Sequence, residues 1–187
     1  MREVGDISRF CQVIAGIRFC IHYSGRRCSL KHQIWKPFAL WILLAEGVGA
    51  LAGWLTREGA RIYSAAVRKP PLTPPGPVFP IVWSILFALM GIGAALVWRK
   101  PASRERTRSL ILFIVQLAVN FFWSILFFNC QVYGFALVWL MLLWALIVWM
   151  ILSFRSVDRT AAMLQIPYLL WVTFAAYLNA GVWLLNR

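Results

Sequence analysis

The chain has 187 residues, 61% of them apolar, with eleven tryptophans, a mean hydropathy of +0.73 and a formal net charge of +13. A water-soluble domain of this size has no interior large enough for that much apolar side chain, which excludes a soluble globular fold. No nucleic-acid-binding module accompanies the positive charge, so it reads as membrane topology and anionic-lipid contact rather than nucleic-acid binding.

Residues 1–37 are basic and differ in composition from 38–187, which gives a basic N-terminal extension followed by a transmembrane domain. Phe10 to Tyr23 is apolar but short, is interrupted by Arg18 and is followed by no clear small-residue cleavage site. It fits neither a span nor a signal peptide. A membrane-surface arm and an extension from a misassigned start codon both remain open. Cys20, His22, Cys28 and His32 are zinc-type donors, but their spacing, C-x-H-x5-C-x3-H, matches no standard site and reads as incidental.

Five long apolar segments follow, from about Phe38 to Thr56, Val78 to Trp98, Leu110 to Asn129, Val132 to Phe154 and Thr160 to Asn186. Each can cross about 30 Å of hydrocarbon at about 1.5 Å per residue. None shows the period-two alternation of a membrane barrel strand. The expected fold is therefore all-α, a polytopic membrane protein built as a five-transmembrane-helix bundle. Only Cys130 and Gln131 clearly separate the third and fourth segments, which makes those helices antiparallel neighbours, with Cys130 as a small packing residue at a helix end.

The first segment carries one charge, Glu46, between two apolar stretches, and an intramembrane carboxylate is a functional candidate or a paired structural group. Gly49 and Gly53 form a GxxxG pair suited to close helix contact, inside the bundle or at a dimer seam. After it comes the one long connection, Arg57 to Pro77. Prolines 70, 71, 74, 75, 77 and 80 fall within eleven residues. Proline fixes φ and biases its predecessor away from the helical region, so this stretch is expected to be a stiff cap across the bundle mouth. Pro80 falls in the first turn of the second helix, where a missing N–H costs little.

Basic residues are unevenly divided. The N-terminal segment and the second and fourth connections hold fourteen Lys and Arg, against five in the first connection and at the C-terminus. The positive-inside rule puts the N-terminus in the cytoplasm and the proline-rich loop and C-terminus outside.

Helical spacing then picks out three faces: Phe79, Trp83, Phe87 and Met90; Gln116, Asn120, Trp123 and Phe127; and Tyr168, Trp171, Ala175 and Asn179, the last opened by a kink at Pro167. Amides in hydrocarbon are costly unless they meet a partner or a cavity. An aromatic cleft with a few amides suits a large, flat, mostly apolar ligand. The same stripes also fit plain packing, with the amides as interhelical links.

Lys69-Pro70-Pro71, Thr73-Pro74-Pro75-Gly76, Val78-Phe79-Pro80 and Trp83 resemble the first loop and second helix of the TspO/MBR family (tryptophan-rich sensory protein/translocator protein, peripheral benzodiazepine receptor type). Met90-Gly91-Ile92, Gln116-Leu117 with Asn120, Trp123-Ser124 and Phe127-Phe128, and Pro167-Tyr168 with Trp171, Phe174-Ala175 and Asn179 agree in the family's order. The resemblance implies a five-helix bundle, usually homodimeric, that binds porphyrins such as protoporphyrin IX and haem under the first loop. Matched residue by residue, it implies a ligand site of Pro74, Phe79, Trp83, Phe87, Asn120, Trp123, Trp171 and Ala175, with no metal site and no catalytic residues.

Two departures stand out. The family often has a Trp-Tyr pair before its Lys-Pro, where this chain has Tyr63 and Ser64. Its animal members carry a C-terminal sterol-recognition pattern, but here no Lys or Arg follows Tyr177 until Arg187, which argues against sterol transport and for a bacterial cytoplasmic membrane. Three functions are open: tetrapyrrole binding for sensing, sequestration or transport; light- and oxygen-dependent breakdown of protoporphyrin by pocket tryptophans; and a structural membrane subunit. No hydrolytic triad or carboxylate pair supports ordinary enzymatic catalysis.

Overall fold

The computed structural model describes residues 27–187, with side chains from Trp35 onward. The chain divides into Met1–Pro37 and Phe38–Arg187, and the site lies wholly within the second unit. Phe10 to Tyr23 and the side chains of Cys20, His22, Cys28 and His32 fall outside the described residues.

All regular structure among the described residues is helical: α1 (Arg27–Leu55), α2 (Arg57–Ala66), α3 (Val78–Trp98), α4 (Arg104–Ser124), a π-helical turn (Ile125–Asn129), α5 (Tyr133–Val157), α6 (Arg159–Met163) and α7 (Ile166–Leu185). Five stretches are long and apolar enough to cross a membrane: Trp35–Leu55, Val78–Trp98, Arg104–Asn129, Tyr133–Val157 and Arg159–Leu185. The expected five-helix all-α membrane fold is what the chain forms.

Local chemistry sets the boundaries. The Ser103 hydroxyl accepts from the Arg106 N–H at 3.1 Å to start α4, and the Asp158 carboxylate accepts from the Ala161 N–H at 2.9 Å to start α6. Both satisfy backbone donors that a helix start leaves unpaired. Pro80 lies in the first turn of α3, as expected. The fifth span is interrupted at Leu164 and Gln165, and Pro167 sits in the first turn of α7, so the break precedes the proline rather than bending a continuous helix.

Two sequence expectations need correction. Arg57–Ala66 forms a strongly amphipathic helix, so only 67–77 of the long connection is non-helical, and it turns at Pro71–Leu72 and at Gly76–Pro77. Its Tyr63 is buried while Arg57, Glu58 and Arg61 are exposed, a pattern of alternating polar and apolar faces rather than a continuous apolar run. Cys130 is an exposed free thiol rather than a packing residue. It follows the π-helical turn just as the chain reverses, and the reversal puts Gln131 at φ 54°.

Much of the packed core lies away from the proline-rich loop, although Ala136 and Leu140 of α5 and Val182 of α7 are also buried nearer the loop. Met90, Phe113, Leu143, Ile147, Met150, Phe154 and Tyr168 are fully buried in the part away from it. Close approach depends on small residues: a Cβ on Gly91 would lie 2.5 Å from the Ile42 Cα, so α1 and α3 touch backbone to backbone at that point. Buried polar groups link helices across the core. The Tyr168 hydroxyl donates to Gln116 Oε1 at 2.9 Å, and the Ser109 and Ser153 hydroxyls meet at 2.8 Å. At the far end Lys100 pairs with Asp158 at 2.8 Å.

Candidate functional site

Above that core the helices enclose a cavity of about 550 Å³, within the range of small-molecule sites. All eight residues matched to the family site line it: Pro74, Phe79, Trp83, Phe87, Asn120, Trp123, Trp171 and Ala175. Three members of the helical faces do not. Met90 is fully buried in the core, and Gln116 and Tyr168 are bonded to each other below the cavity floor. Each face is therefore cavity wall near the loop and core farther away, a change that helical spacing alone does not mark.

The walls are mostly aromatic. Trp83 stacks on Phe87 with ring centroids 5.5 Å apart, and Trp123 stacks on Phe127 at 5.3 Å. Phe79 meets the Trp171 ring edge to face at 6.0 Å. Such pairs hold each other's rotamers, so the flat walls persist without a ligand to order them. The π-helical turn at the end of α4 adds to this surface, because its altered register lets the consecutive Phe127 and Phe128 both reach the cavity.

Polar groups are few and differ in how far they are committed. Asn179 accepts from the Trp123 indole N–H at 3.3 Å and donates to the Tyr133 carbonyl at 2.8 Å, so it orients one ring of the wall. Thr56 donates to the Ala52 carbonyl at 2.8 Å. Glu46, Ser84, Asn120 and Ser124 also line the cavity, and among the described residues none of their side chains makes a hydrogen bond. Asn120 is almost completely buried, so its amide is a donor and acceptor held for something within the cavity.

The proline-rich segment closes the mouth and is tied down on both sides. The Arg68 N–H donates to Asn186 Oδ1 at 3.0 Å, while Asn186 Nδ2 donates back to the Arg68 carbonyl at 2.9 Å. The Tyr177 hydroxyl donates to the Pro71 carbonyl at 3.0 Å, and Pro70 packs so tightly on Gly181 that a Cβ there would lie 2.5 Å from the proline ring. On the other side Gly59 of α2 lies against the Phe128 backbone, and Asn129 Nδ2 donates to the Leu55 carbonyl at 3.1 Å. Directly after the Pro71 tie, Leu72 is held at φ 65°, a left-handed conformation costly for a leucine. The cap is thus stiff by composition and anchored by hydrogen bonds.

Sequence reasoning missed the contribution of α2. Tyr63 and Ser64, at the positions of the family's Trp-Tyr pair, both line the cavity beside Lys69. The Lys69 ammonium donates to the Ser64 carbonyl at 2.7 Å and lies 5.4 Å from the Tyr63 ring centroid. Burial, assisted by the nearby Tyr133, pushes the Tyr63 phenol above its ordinary value and keeps it neutral. The amphipathic spacing of 57–66 was the available signal. Ala50 and Gly53 of α1 and Pro80 and Ser84 of α3 line the cavity yet stay exposed, so it opens sideways between these two helices.

Comparison with known proteins agrees with this geometry. The TspO/MBR family model matches residues 39–184. The tryptophan-rich protein TspO of Chlorobaculum tepidum is 40% identical over 152 residues, covering 79% of this chain and 94% of that protein. The translocator protein of Ovis aries is 36% identical over 157 residues, covering 82% and 92%. Protein CrtK of Rhodobacter capsulatus is 35% identical over 150 residues, covering 80% and 92%. With its five spans, its capped aromatic cavity and a match over most of its length, this chain belongs to the TspO/MBR family.

Proposed function

We propose that this membrane protein binds a flat, largely apolar tetrapyrrole of the protoporphyrin IX or haem type in the cavity beneath the proline-rich loop, for sensing, sequestration or transport. The observation that carries the reading is the cavity itself: a space of about 550 Å³ walled by Phe79, Trp83, Phe87, Trp123, Phe127 and Trp171. Stacked and edge-on rings suit a planar aromatic guest. The unpaired Asn120 amide and the Lys69 cation at the mouth supply orientation and a partner for carboxylates.

The donor set bears on haem. No histidine, cysteine or methionine is among the lining residues, and Tyr63, whose hydroxyl stays protonated, is the one side chain of a type that ligates haem iron. Recognition therefore rests on the ring and its substituents, and metal-free and iron-loaded porphyrins should bind with comparable affinity. We place the loop on the outer face of a bacterial cytoplasmic membrane, from the fourteen-to-five division of basic residues.

The test is equilibrium titration of the detergent-solubilised protein with protoporphyrin IX and with haem in the dark, followed by the absorbance of the porphyrin. Saturable binding of both, weakened by Trp83→Phe and by Asn120→Leu, supports the reading. Linear uptake identical in all variants would mean partition into the micelle and would refute it.

A further inference from the structure

At the end of the bundle opposite the proline-rich loop, an open groove runs between α4 and α5, bordered by Arg104, Thr107, Arg108, Ile111, Leu112 and Trp149. We propose that this groove binds one anionic phospholipid, with its phosphate held by Arg104 and Arg108 and an acyl chain lying along Ile111, Leu112 and Trp149.

The order of chemistry along α4 carries the assignment. Arg104 and Arg108 are four residues apart and share a face. One turn further into the span the same face becomes Ile111 and Leu112, so charge gives way to apolar wall in the sequence in which a lipid presents headgroup and then chain. The Arg108 guanidinium lies 5.2 Å from the Trp149 ring centroid, which braces it at the groove's edge. Trp149 is 47% exposed and Ile111 58% exposed, so these two face outward from the bundle, while the buried Leu112 lines the groove from within. Guanidinium forks match phosphate oxygens in pairs, and two of them one turn apart suit a single phosphate.

The other basic residues nearby are differently engaged. Lys100 is bound to Asp158, Arg106 donates to the Lys100 carbonyl at 2.8 Å and lies over Trp98, and Arg99 lies over Phe38. Arg155 and Arg159 do not border this groove. Among the described residues Arg104 and Arg108 have no carboxylate partner. The neighbouring acid, Glu105, lies three residues before Arg108 and about 60° from it around the helix, yet among the described residues it pairs with neither arginine and does not line the groove. A soluble anion would use the arginines and leave the apolar wall idle; a phospholipid uses both.

Native mass spectrometry of the full chain, released from detergent with added phosphatidylglycerol or phosphatidylcholine, tests this. The expected result is one retained phosphatidylglycerol, favoured over phosphatidylcholine by roughly thirtyfold, as two basic residues at an anionic headgroup imply. Arg104→Gln/Arg108→Gln should abolish the preference, whereas Arg57→Gln/Arg61→Gln, with the same loss of charge at the other end, should keep it. Ile111→Trp, which fills the apolar trough and keeps both arginines, should also lower retention and covers the case in which the double variant folds poorly. Equal loss in both double variants would show diffuse charge attraction and overturn the proposal. Competition by glycerol phosphate as effective as by phosphatidylglycerol, or wild-type retention in Ile111→Trp, would overturn it too.

Discussion

In the half of the bundle away from the loop, Phe113, Met150, Phe154 and Tyr168 are fully buried, and Gln116 and Ser109 find partners on neighbouring helices. In the loop-side half, Trp83 and Trp171 keep part of their surface open, and Asn120, Ser84 and Ser124 have no hydrogen-bond partner among the described residues. Both halves use the same residue types on the same helices. Lipid tails are as apolar as leucine, so helix association in a membrane relies on close packing and polar links rather than on escape from water. The far half, together with α5 and α7 nearer the loop, supplies those contacts, which lets the space beneath the loop stay hollow. A bundle that packed well throughout would have no room for a guest.

The sharpest way to break the comparison is to attack the solid half. Gly91→Leu places side-chain atoms where the α1 backbone runs, and should destabilise the fold by about 3 kcal/mol or prevent folding, read from denaturation in mixed micelles. Trp171→Ala instead enlarges the cavity. It should lower protoporphyrin affinity about tenfold while leaving the unliganded unfolding midpoint close to wild type. A stability loss as large as that of Gly91→Leu would erase the distinction between the halves.

Smaller effects sharpen it. Tyr168→Phe removes the donor to Gln116 and leaves that amide with neither end bonded, since Gln116 Nε2 already lacks a partner. The expected cost is about 1 kcal/mol, with ligand binding unchanged. At the far end, partial burial of Asp158 opposes its ionisation, but the Lys100 ammonium and the Ala161 N–H outweigh it and hold the carboxyl below its ordinary value. A group lowered in this way contributes stability that is complete above the ordinary carboxylate range and is lost as the pH falls through its native value. Asp158→Asn, which keeps a capping side chain but loses the charge, should cost about 0.5 kcal/mol at neutral pH, discounted because Lys100 is partly exposed. The variant should also flatten the acid limb of the thermal-stability profile.

Much of this was legible in the sequence for physical reasons. Long apolar runs mark the spans because nothing else is stable in hydrocarbon, and the prolines at 70–80 mark the cap because their φ is fixed. Helical spacing gathered Phe79, Trp83, Phe87, Asn120, Trp123, Trp171 and Ala175, and the family resemblance added Pro74. It did not separate cavity from core within one face: Met90 and Gln116 share spacing with Phe87 and Asn120 yet lie in the packed half. That division depends on where α1 comes close to α3, at Gly91, which is a three-dimensional fact. Tyr63 and Ser64 were recognised only as departures, because α2 is short and polar outside and so resembles a loop when spans are being sought. The π-helical turn that brings Phe128 to the cavity leaves no periodic trace in five residues.

Hydrogen–deuterium exchange of the detergent-solubilised protein, with and without saturating protoporphyrin IX in the dark, would test the division most directly. Slower exchange confined to 56–79 and the loop-side turns of α4 and α7, with the far half unchanged, is the predicted result. Uniform protection along all five spans, or none anywhere, would contradict a guest seated in the hollow half.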